Sequence, residues 1–290
     1  MAAVGARGAK PADGDRRPGG PRPVAFQGER GANSEDAIVG RFGTTPVLPC
    51  RTFAAVFAAV EDGTARAGLV PIENSLAGSI TDTYDLLRAS PLIIAGEVLH
   101  PVVHCLVALP GQTLDQITEV LSHPQALAQC DVFLKEHGLE PVAANDTAGS
   151  ARLVRDRGMR GTAAISSRRA AALYGLEVLA ESVQTSRDNV TRFYVIAHEP
   201  APKGRHNKTA IVFTTPNRPA ALFWCLGALA CRSINLTKLE SRPGRERPFE
   251  YVFHAEFDGH TSDEDVVMAL KDLSAKATGL KVLGSFPKAD

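Results

Sequence analysis

A threonine and an arginine lie side by side in the stretch Asn189–Ile196, which reads Asn-Val-Thr-Arg-Phe-Tyr-Val-Ile. Its β-branched and aromatic residues predict a buried strand. On such a strand Thr191 and Phe193 face one side of the sheet. Arg192 and Tyr194 face the other side. A hydroxyl and an aromatic ring could therefore form one wall of a pocket. The stretch also fits an ordinary strand in which the Thr191 hydroxyl bonds to a neighbouring backbone group.

Five short apolar segments are each followed by a polar turn and then by a segment of helical composition. The turns contain Asn33-Ser34, Asn74-Ser75, Ser122-His123-Pro124-Gln125, Asn145-Asp146-Thr147 and Ser166-Ser167. Five such units predict an α/β domain with a largely parallel sheet, whose turns line a ligand crevice. Free N–H groups at helix starts favour carboxylates. Each polar residue alone fits a helix N-cap, but together on one rim they predict a site for a small polyanion.

The composition argues against several classes of function. The 290 residues carry 32 basic and 32 acidic side chains, so no net field attracts nucleic acid or an anionic membrane. No apolar run approaches the roughly 20 residues of a membrane span, and the first residues lack the apolar core of a secretion signal. Five cysteines without a CxxC pair predict reduced thiols and a cytoplasmic location.

The first two thirds of the chain predict a tail and a two-lobed domain. Residues 1–22 are rich in Gly, Pro, Ala and Arg, which is typical of a disordered tail. A basic targeting peptide is the alternative, although Asp13 and Asp15 interrupt its charge.

Residues 23–200 contain the strand–turn–helix units. Crossovers between two lobes are predicted near 98–101 and 181–188, which places Thr191 at the cleft between the lobes. Two lobes joined by two strands predict hinge motion.

The last third of the chain predicts a second domain. Residues 201–207 are rich in Pro, Gly and basic side chains and indicate a linker. Residues 208–285 then follow the order βαββαβ, which is that of a ferredoxin-like unit.

Six motifs occur along the two domains. They are Phe26-Gln27-Gly28, Pro71-Ile72-Glu73-Asn74-Ser75, Ser122-His123-Pro124-Gln125-Ala126-Leu127, Asp146-Thr147-Ala148, Asn189-Val190-Thr191-Arg192-Phe193 and Ile234-Asn235-Leu236-Thr237-Lys238-Leu239-Glu240-Ser241-Arg242-Pro243. In this order and at this spacing they resemble the pattern of prephenate dehydratases, over about residues 23–285. The resemblance implies a catalytic domain like a type 2 periplasmic binding protein, followed by an ACT regulatory domain that binds phenylalanine.

The resemblance also implies an activity, that of a carbon–oxygen lyase of phenylalanine biosynthesis. Prephenate would lose carbon dioxide and water to give phenylpyruvate, without a metal or an organic cofactor. Aromatisation drives this reaction, so the enzyme must mainly orient the substrate and assist the departing hydroxyl. In that family the threonine of the Thr-Arg-Phe motif is essential, which here is Thr191. Phe193 would pack on the substrate ring, and the carboxylates and carbonyl would be held by a further set of residues. That set is Asn74, Ser75, His123, Gln125, Thr147 and Asn189.

Other reactive side chains favour structural roles. Arg192 faces away from Thr191 on an ideal strand, so we expect it to pair with a carboxylate beneath the site. His100 and His104 have the spacing i, i+4, but no third ligand is evident beside them, which argues against a metal. Cys130 fits a buried core thiol, and His123 fits either a helix cap or a site residue.

The resemblance places a phenylalanine site in the second domain, between the turn before its first helix and the loop after its second strand, at a subunit interface. The implied contacts are Ala221, Leu222, Asn235, Leu236, Glu240, Ser241, Arg242 and Pro243. The family usually has Pro-Gly-Ala-Leu or Pro-Gly-Val-Leu at the turn, where this chain has Pro219-Ala220-Ala221-Leu222. Because Ala220 adopts a positive φ less readily than glycine, weakened or retuned feedback is predicted. The basic loop Arg242–Arg247 also fits a solvated hairpin.

Two other functions fit the same residues. An arogenate dehydratase would hold an amino group where prephenate has a keto group. A non-catalytic amino-acid or keto-acid sensor would use the same pair of domains, and the Thr191 hydroxyl argues against it. No DNA-reading element is visible. The expected assembly is a homodimer or homotetramer formed through the ACT domains.

Overall fold

The structure, a computed structural model, describes residues 21–244 and 251–289, which form three β-sheets with flanking helices. Most of the predicted tail 1–22 and part of the basic loop Arg242–Arg247 lie outside the described residues. Within the described part of the chain, no helix combines the length and the apolar character needed to cross a bilayer.

The first lobe is built on a mixed sheet. In chain order its elements are β1 (Val24–Gln27), α1 (Asn33–Phe42), β2 (Val47–Cys50), α2 (Phe53–Glu61), β3 (Ala67–Asn74), β4 (Gly78–Ser79), α3 (Thr81–Ala89) and β5 (Ile93–Pro101). The chain then leaves this lobe and later returns to it as a single strand that lies between β3 and β5.

The second lobe contains the middle of the chain. Its elements are β6 (Cys105–Ala108), a short 3-10 turn (Leu114–Gln116), β7 (Glu119–Ser122), α4 (Pro124–Gln129), α5 (Asp131–Glu136), β8 (Glu140–Ala143), α6 (Thr147–Arg157), β9 (Thr162–Ser166), α7 (Arg168–Tyr174) and β10 (Glu177–Ala180). Its strands are ordered β10-β6-β9-β7-β8. The returning strand of the first lobe is β11 (Val190–Ala197), which completes the order β2-β1-β3-β11-β5 with β4 beside β3.

The prediction of a largely parallel sheet is confirmed in part: in each lobe four strands run in one direction, but a reversed strand makes both sheets mixed. In the first lobe β1 is parallel to β2 and β3, whereas β11 is antiparallel to β3 and β5. In the second lobe β7 is parallel to β8 and β9, whereas β6 and β10 pair antiparallel. The physical reason is the double crossing: the strand that returns from the other lobe enters its sheet from the opposite end.

The C-terminal unit follows as β12 (Asn207–Thr214), α8 (Ala221–Ala230), β13 (Leu236–Pro243), β14 (Tyr251–Asp258), α9 (Glu264–Ser274) and β15 (Gly279–Pro287). This is the predicted βαββαβ order, and the four strands form an antiparallel sheet ordered β13-β14-β12-β15. Period-2 alternation gives the sheet two apolar faces. Ile211, Phe213 and Phe257 pack under the two helices, whereas Ala210 and Val212 face the first lobe.

The C-terminal unit and the first lobe share one hydrophobic core. A single cluster of buried side chains joins Tyr194 and Ile196 of β11 to Val212 of β12 and to Phe286 of β15. Strand β15 also packs against β5. At Gly284 the two backbones approach so closely that an added Cβ would lie 2.2 Å from the Ile94 carbonyl oxygen. The C-terminal unit is therefore docked on the sheet that carries Thr191.

Candidate active site

Thr191 lies at the start of β11, opposite Asn74 at the end of β3. Its side chain is 9% exposed, and its Oγ1 accepts a hydrogen bond of 3.0 Å from Asn74 Nδ2. The orientation of the Asn74 amide is fixed at its other end, because Oδ1 accepts from the backbone N–H groups of Leu76 and Ala77 at 3.1 and 3.0 Å. Since an amide nitrogen can only donate, the Thr191 hydroxyl accepts and keeps its own hydrogen available for another acceptor.

Buried amides extend this pair into a directional network. Asn74 Nδ2 also donates to Asn189 Oδ1 at 2.7 Å, and Asn189 Nδ2 donates to Gln129 Oε1 at 3.0 Å. Gln129 Oε1 lies 2.8 Å from His104 Nε2. Because this oxygen only accepts, His104 carries its proton on Nε2. Burial lowers the pKa of His104 and outweighs the opposing hydrogen bond to Gln129, so the ring is neutral.

The network connects the two crossings between the lobes. The backbone N–H of His104, which lies in the first crossing, donates to Gln184 Oε1 at 2.9 Å in the second. The Val183 N–H donates back to the His104 carbonyl at 3.0 Å, and the Val102 N–H donates to the Asn189 carbonyl at 2.8 Å. The segments that must bend in any lobe movement are thus tied to one another beside Thr191.

Sequence reasoning missed three members of this network. The sequence suggests a metal ligand at His104 and gives no site signal at Gln129. Gln129 lies at the end of α4, where no motif distinguishes it, and its contact with Asn189 spans 60 positions. For Gln184 the available signal was its place in the predicted crossing 181–188.

Ser75 is hydrogen-bonded to the segment that leads into β11. Its hydroxyl donates to the Asp188 carbonyl at 2.5 Å and accepts from the Val190 N–H at 2.9 Å. Its own N–H donates to the Val190 carbonyl at 2.9 Å. These bonds occupy the Ser75 hydroxyl, so the structure supports a role in placing β11 rather than the predicted contact with substrate.

His123, Gln125 and Thr147 lie at the starts of α4 and α6, after the neighbouring parallel strands β7 and β8. His123 caps α4, since its Nδ1 accepts from the Gln125 N–H at 3.2 Å. Thr147 is the first residue of α6, which Asp146 caps. The three residues share one edge of the second sheet. Within the described residues, no hydrogen bond connects them to Thr191, whereas Asn74 and Asn189 contact one another directly.

Phe193 is 2% exposed and packs with Phe26 and Ile38 in a hydrophobic cluster of the first lobe. Burial in this core does not support the predicted packing of its ring on a substrate. Against β3 the register shifts between Arg192 and Phe193, and such a bulge re-aims the side chains beside it.

Arg192 points to the opposite face of β11 and pairs with carboxylates, as the strand alternation predicted. Its Nε bonds to Glu97 Oε2 at 2.8 Å and one terminal nitrogen to Glu73 Oε1 at 3.0 Å. The other terminal nitrogen bonds to Glu256 of the C-terminal unit, which also accepts from the Tyr194 hydroxyl. Burial alone would lower the pKa of Arg192, but the surrounding acidic groups raise it above its usual value.

His100 lies opposite Thr191 on β5, and burial lowers its pKa against an opposing effect of Asp36. Within residues 21–244 and 251–289, no three His, Cys, Asp or Glu side chains come together in a group that could hold a metal ion. Cys130 is fully buried in the core of the second lobe, and burial raises the pKa of its thiol to about 12.

A separate cavity of about 210 Å³ lies in the C-terminal unit. Its lining includes Ala220, Ala221 and Leu222 at the start of α8, together with Tyr251 and Phe253 of β14. Ala220 has φ 62° and ψ 6°, in the left-handed region where the family usually has glycine.

The remaining residues predicted for the phenylalanine site do not line this cavity. Instead Glu240 accepts from the Ser79 hydroxyl at 2.9 Å, and Arg242 lies 3.8 Å from Asp85. The Asn235 amide donates to Asp258 at 2.9 Å. Within one chain, the strand β13 therefore faces the first lobe rather than the turn before α8. The other predicted contacts on or beside this strand are Leu236, Ser241 and Pro243.

Comparisons with known proteins agree with the motifs. The family profile described as prephenate dehydratase matches residues 24–201. The chain is 44% identical over 275 residues to arogenate dehydratase/prephenate dehydratase 2, chloroplastic, of Arabidopsis thaliana, a match that covers 91% of this chain and 72% of that protein. It is 40% identical over 272 residues to a bifunctional N-acyl-homoserine lactone acylase/prephenate dehydratase of Komagataeibacter europaeus, with coverage of 92% and 96%.

A solved structure shows the same similarity in three dimensions. The crystal structure of prephenate dehydratase in complex with L-Phe from Arthrobacter aurescens matches with a TM-score of 0.84 at 34% identity. The match covers 92% of this chain and 90% of that one, so it includes the C-terminal unit as well as both lobes.

Proposed function

The chain belongs to the prephenate dehydratase family and is therefore a hydro-lyase, and on this premise we propose that its substrate is prephenate and that Thr191 assists the departing hydroxyl. The observation that carries the proposal is the Asn74–Thr191 pair. Asn74 is held by two backbone N–H groups and donates to Thr191 Oγ1, which leaves the hydroxyl hydrogen of Thr191 free to point into the cleft.

The Thr191 hydroxyl is the one proton donor that the proposed reaction needs. The bond between C4 and its hydroxyl breaks while the ring carboxylate leaves as carbon dioxide, and the electron pair of that carbon–carbon bond enters the ring. Thr191 donates its hydrogen to the leaving oxygen, which departs as water, and solvent returns the proton. The Asn74 N–H stabilises the negative charge that develops on Oγ1 as its hydrogen moves away.

The Thr191 network contains neutral groups, and in the proposed pose it faces the end of the substrate that carries the leaving hydroxyl. Among the described residues, Thr191 connects through hydrogen bonds to Asn74, Asn189, Gln129 and His104, all of which are neutral. The keto group of prephenate, like the amino group of arogenate, lies on the side chain at the opposite ring carbon, so this network does not choose between the two substrates. We assign the substrate carboxylates to the edge of the second lobe that carries His123, Gln125 and Thr147, where helix starts follow two parallel strands.

We also propose that residues 208–285 form an ACT regulatory domain for phenylalanine, joined to the catalytic residues 23–200 by the linker 201–207. The βαββαβ order and the cavity beside Ala221 and Leu222 support this proposal. The similar protein from Arthrobacter aurescens was solved in complex with L-Phe. The left-handed Ala220 at the cavity edge supports altered feedback.

An apolar surface supports assembly through this domain as a homodimer or homotetramer. Helix α8 reads Ala-Leu-Phe-Trp-Cys-Leu-Gly-Ala-Leu-Ala, without a charged residue, and it exposes 65% of Phe223 and 56% of Trp224. The adjacent helix α9 exposes Val267 and Met268. Phe223 also lines the cavity, so a second copy on this face would complete the phenylalanine site. The five free thiols support a cytoplasmic location.

The experiment that tests this function is turnover of prephenate and of arogenate by the purified chain, each with and without phenylalanine. We expect phenylpyruvate from prephenate and a change in rate on addition of phenylalanine. Faster turnover of arogenate would assign the chain to the alternative substrate. Absence of turnover with both compounds, in the presence of measurable binding, would contradict the enzyme and support the amino-acid or keto-acid sensor.

A further inference from the structure

Six charged side chains meet behind the strand that carries Thr191. Four of them are buried, whereas Glu73 and Lys238 are partly exposed. We call this group the Arg192 cluster, and its members are Glu73, Glu97, Arg192, Lys208, Lys238 and Glu256. Three carboxylates face three cations, so the cluster is formally neutral. Its members come from both parts of the chain, because β3, β5 and β11 belong to the first lobe and β12, β13 and β14 belong to the C-terminal unit.

Arg192 is the centre of this cluster. Its guanidinium bonds to Glu97 at 2.8 Å and to Glu73 at 3.0 Å in the first lobe, and to Glu256 in the C-terminal unit. Lys208 reinforces the same link, with its Nζ 3.2 Å from Glu97 and 3.8 Å from Glu256. A three-way arrangement of this kind fixes a planar guanidinium far more tightly than a single ion pair does.

Thr191 and Arg192 are adjacent residues on opposite faces of one strand. Each pairs with the facing residue of β3: Thr191 with Asn74 in the cleft, and Arg192 with Glu73 behind it. The register shift that follows Arg192 leaves these two pairs next to a bulge, where the ladder alone specifies the strand twist less strongly. On its other side β11 pairs with β5 in unbroken register from Val190 to Val195. We therefore expect the contacts of Arg192 to add to that ladder in fixing the direction of the Thr191 hydroxyl.

The burial of Glu256 strengthens the effect that we expect the Arg192 contacts to have on the Thr191 hydroxyl. The residue is 2% exposed, and it also accepts from the Tyr194 hydroxyl two positions further along β11. Removing one partner from a buried ion network leaves its neighbours uncompensated, so they move to find new partners or water. For Arg192, we expect such a movement to change the strain on the strand at Thr191.

We propose that Glu256 of the C-terminal unit and Arg192 are positioning residues, which together set the orientation of the Thr191 hydroxyl. The C-terminal unit would then contribute directly to the catalytic geometry, in addition to any effector it binds. This inference rests on the proposed function, because Thr191 must be the group that acts on the substrate. Because neither residue faces the cleft, we expect both to affect the chemical step rather than the binding of substrate.

The first test is the variant Glu256→Gln, which keeps the shape of the side chain and removes its charge. We expect kcat to fall by about 10- to 100-fold, because small misplacements of a catalytic group have effects of this size. We expect KM to stay within about 2-fold, since substrate contacts lie in the cleft. The matched control is Asp272→Asn, which removes a carboxylate from the 2.7 Å pair with Arg232 between α8 and α9, remote from β11. It should leave both constants unchanged.

The second test separates positioning from loss of stability. If Arg192 and Glu256 act as one unit, the double variant Arg192→Gln/Glu256→Gln should be no slower than the slower single variant. Hydrogen exchange should accelerate in the segment 189–197 of Glu256→Gln and not in the Asp272→Asn control, whether or not a substrate is known.

Each outcome has a distinct meaning. A wild-type chain that turns over neither substrate contradicts the proposed function, and the exchange experiment still tests the link to β11. An active Glu256→Gln variant with wild-type kcat and wild-type exchange at 189–197 would overturn the inference alone. Equal losses of kcat in Glu256→Gln and Asp272→Asn would also overturn it, since the effect would then be general.

Discussion

At the scale of single residues, the role proposed for Thr191 rests on its neighbour Asn74. A threonine at the start of a strand is ordinary, but here Asn74 donates to it, and Asn74 cannot turn because Leu76 and Ala77 hold its oxygen. Sequence reasoning identified Thr191, Asn74 and Asn189 through their motifs, and strand alternation predicted the opposite direction of Arg192. It could not predict that Gln129 and His104 complete the network, because those contacts depend on how the second lobe is placed.

The Thr191 hydroxyl can be tested by Thr191→Val, which preserves the branched shape and removes the donor. We expect kcat to fall by about 100- to 10,000-fold, the range for loss of a positioned proton donor. Prephenate binding, measured by calorimetry, should persist. Thr191→Ser should retain part of the activity, and full activity of the valine variant would exclude the hydroxyl from the reaction.

The left-handed Ala220 predicts a stabilising change. Its φ of 62° costs a residue with a Cβ about 1 kcal/mol, which glycine does not lose. We therefore expect Ala220→Gly to raise the free energy of unfolding by about 1 kcal/mol, measured by denaturant titration. The same titration with added phenylalanine reports whether the effector then binds more tightly. A lower stability of the glycine variant would contradict the conformational argument.

At the scale of elements, composition predicted the existence of strands better than their direction. The alternation of β12 and β14 and the βαββαβ order of the C-terminal unit were readable from local patterns. The antiparallel direction of β11 was not, because it depends on a return from the second lobe over more than 80 residues. Local patterns do not predict helix α2 either, since Phe53–Glu61 is apolar on most sides and shows little helical periodicity.

The close approach of β15 and β5 gives a test of docking between elements. At Gly284 a Cβ would lie 2.2 Å from the Ile94 carbonyl oxygen and 2.9 Å from the Ile94 nitrogen, so backbone would have to move. We expect Gly284→Ala to reduce the free energy of unfolding by about 3 kcal/mol.

The control for this substitution is Gly40→Ala in α1, where a Cβ meets no atom within 4 Å. There alanine should increase stability by about 0.5–1 kcal/mol, because a helix interior disfavours glycine. Equal behaviour of the two variants in denaturant titration would show that β15 is not held tightly against β5.

At the scale of the whole molecule, acid stability should reflect the interface between the C-terminal unit and the first lobe. His254 of β14 is buried there against the Tyr84 ring, with 4.9 Å between ring centroids. Charged groups that face it are Arg242, Asp85, Arg88 and Lys238. Burial, together with the nearby cations, lowers the pKa of His254 to about 4, so the folded protein keeps this ring neutral.

The sign of the effect follows from proton uptake. Below its ordinary pKa of about 6.5 the unfolded chain protonates this histidine, whereas the folded chain resists until about pH 4. The contribution of the neutral ring to the free energy of unfolding is therefore complete above pH 6.5. It falls by about 3 kcal/mol as the pH drops from 6.5 to 4. The variant His254→Phe should show a correspondingly smaller loss in denaturant titrations between pH 7 and 4. An unchanged slope would contradict the assignment.

The hydrophobic cluster that joins β11 to β12 and β15 has a practical consequence for metabolic engineering. A strain that overproduces an aromatic amino acid needs an enzyme that ignores its end product, and the simplest design is to delete the gene segment after codon 200. In this protein that deletion would expose the buried side chains of Tyr194 and Ile196 to solvent. We expect the resulting fragment to aggregate and to express poorly. If the proposed phenylalanine site is present, release from feedback is better sought by single substitutions around the cavity in the full-length chain.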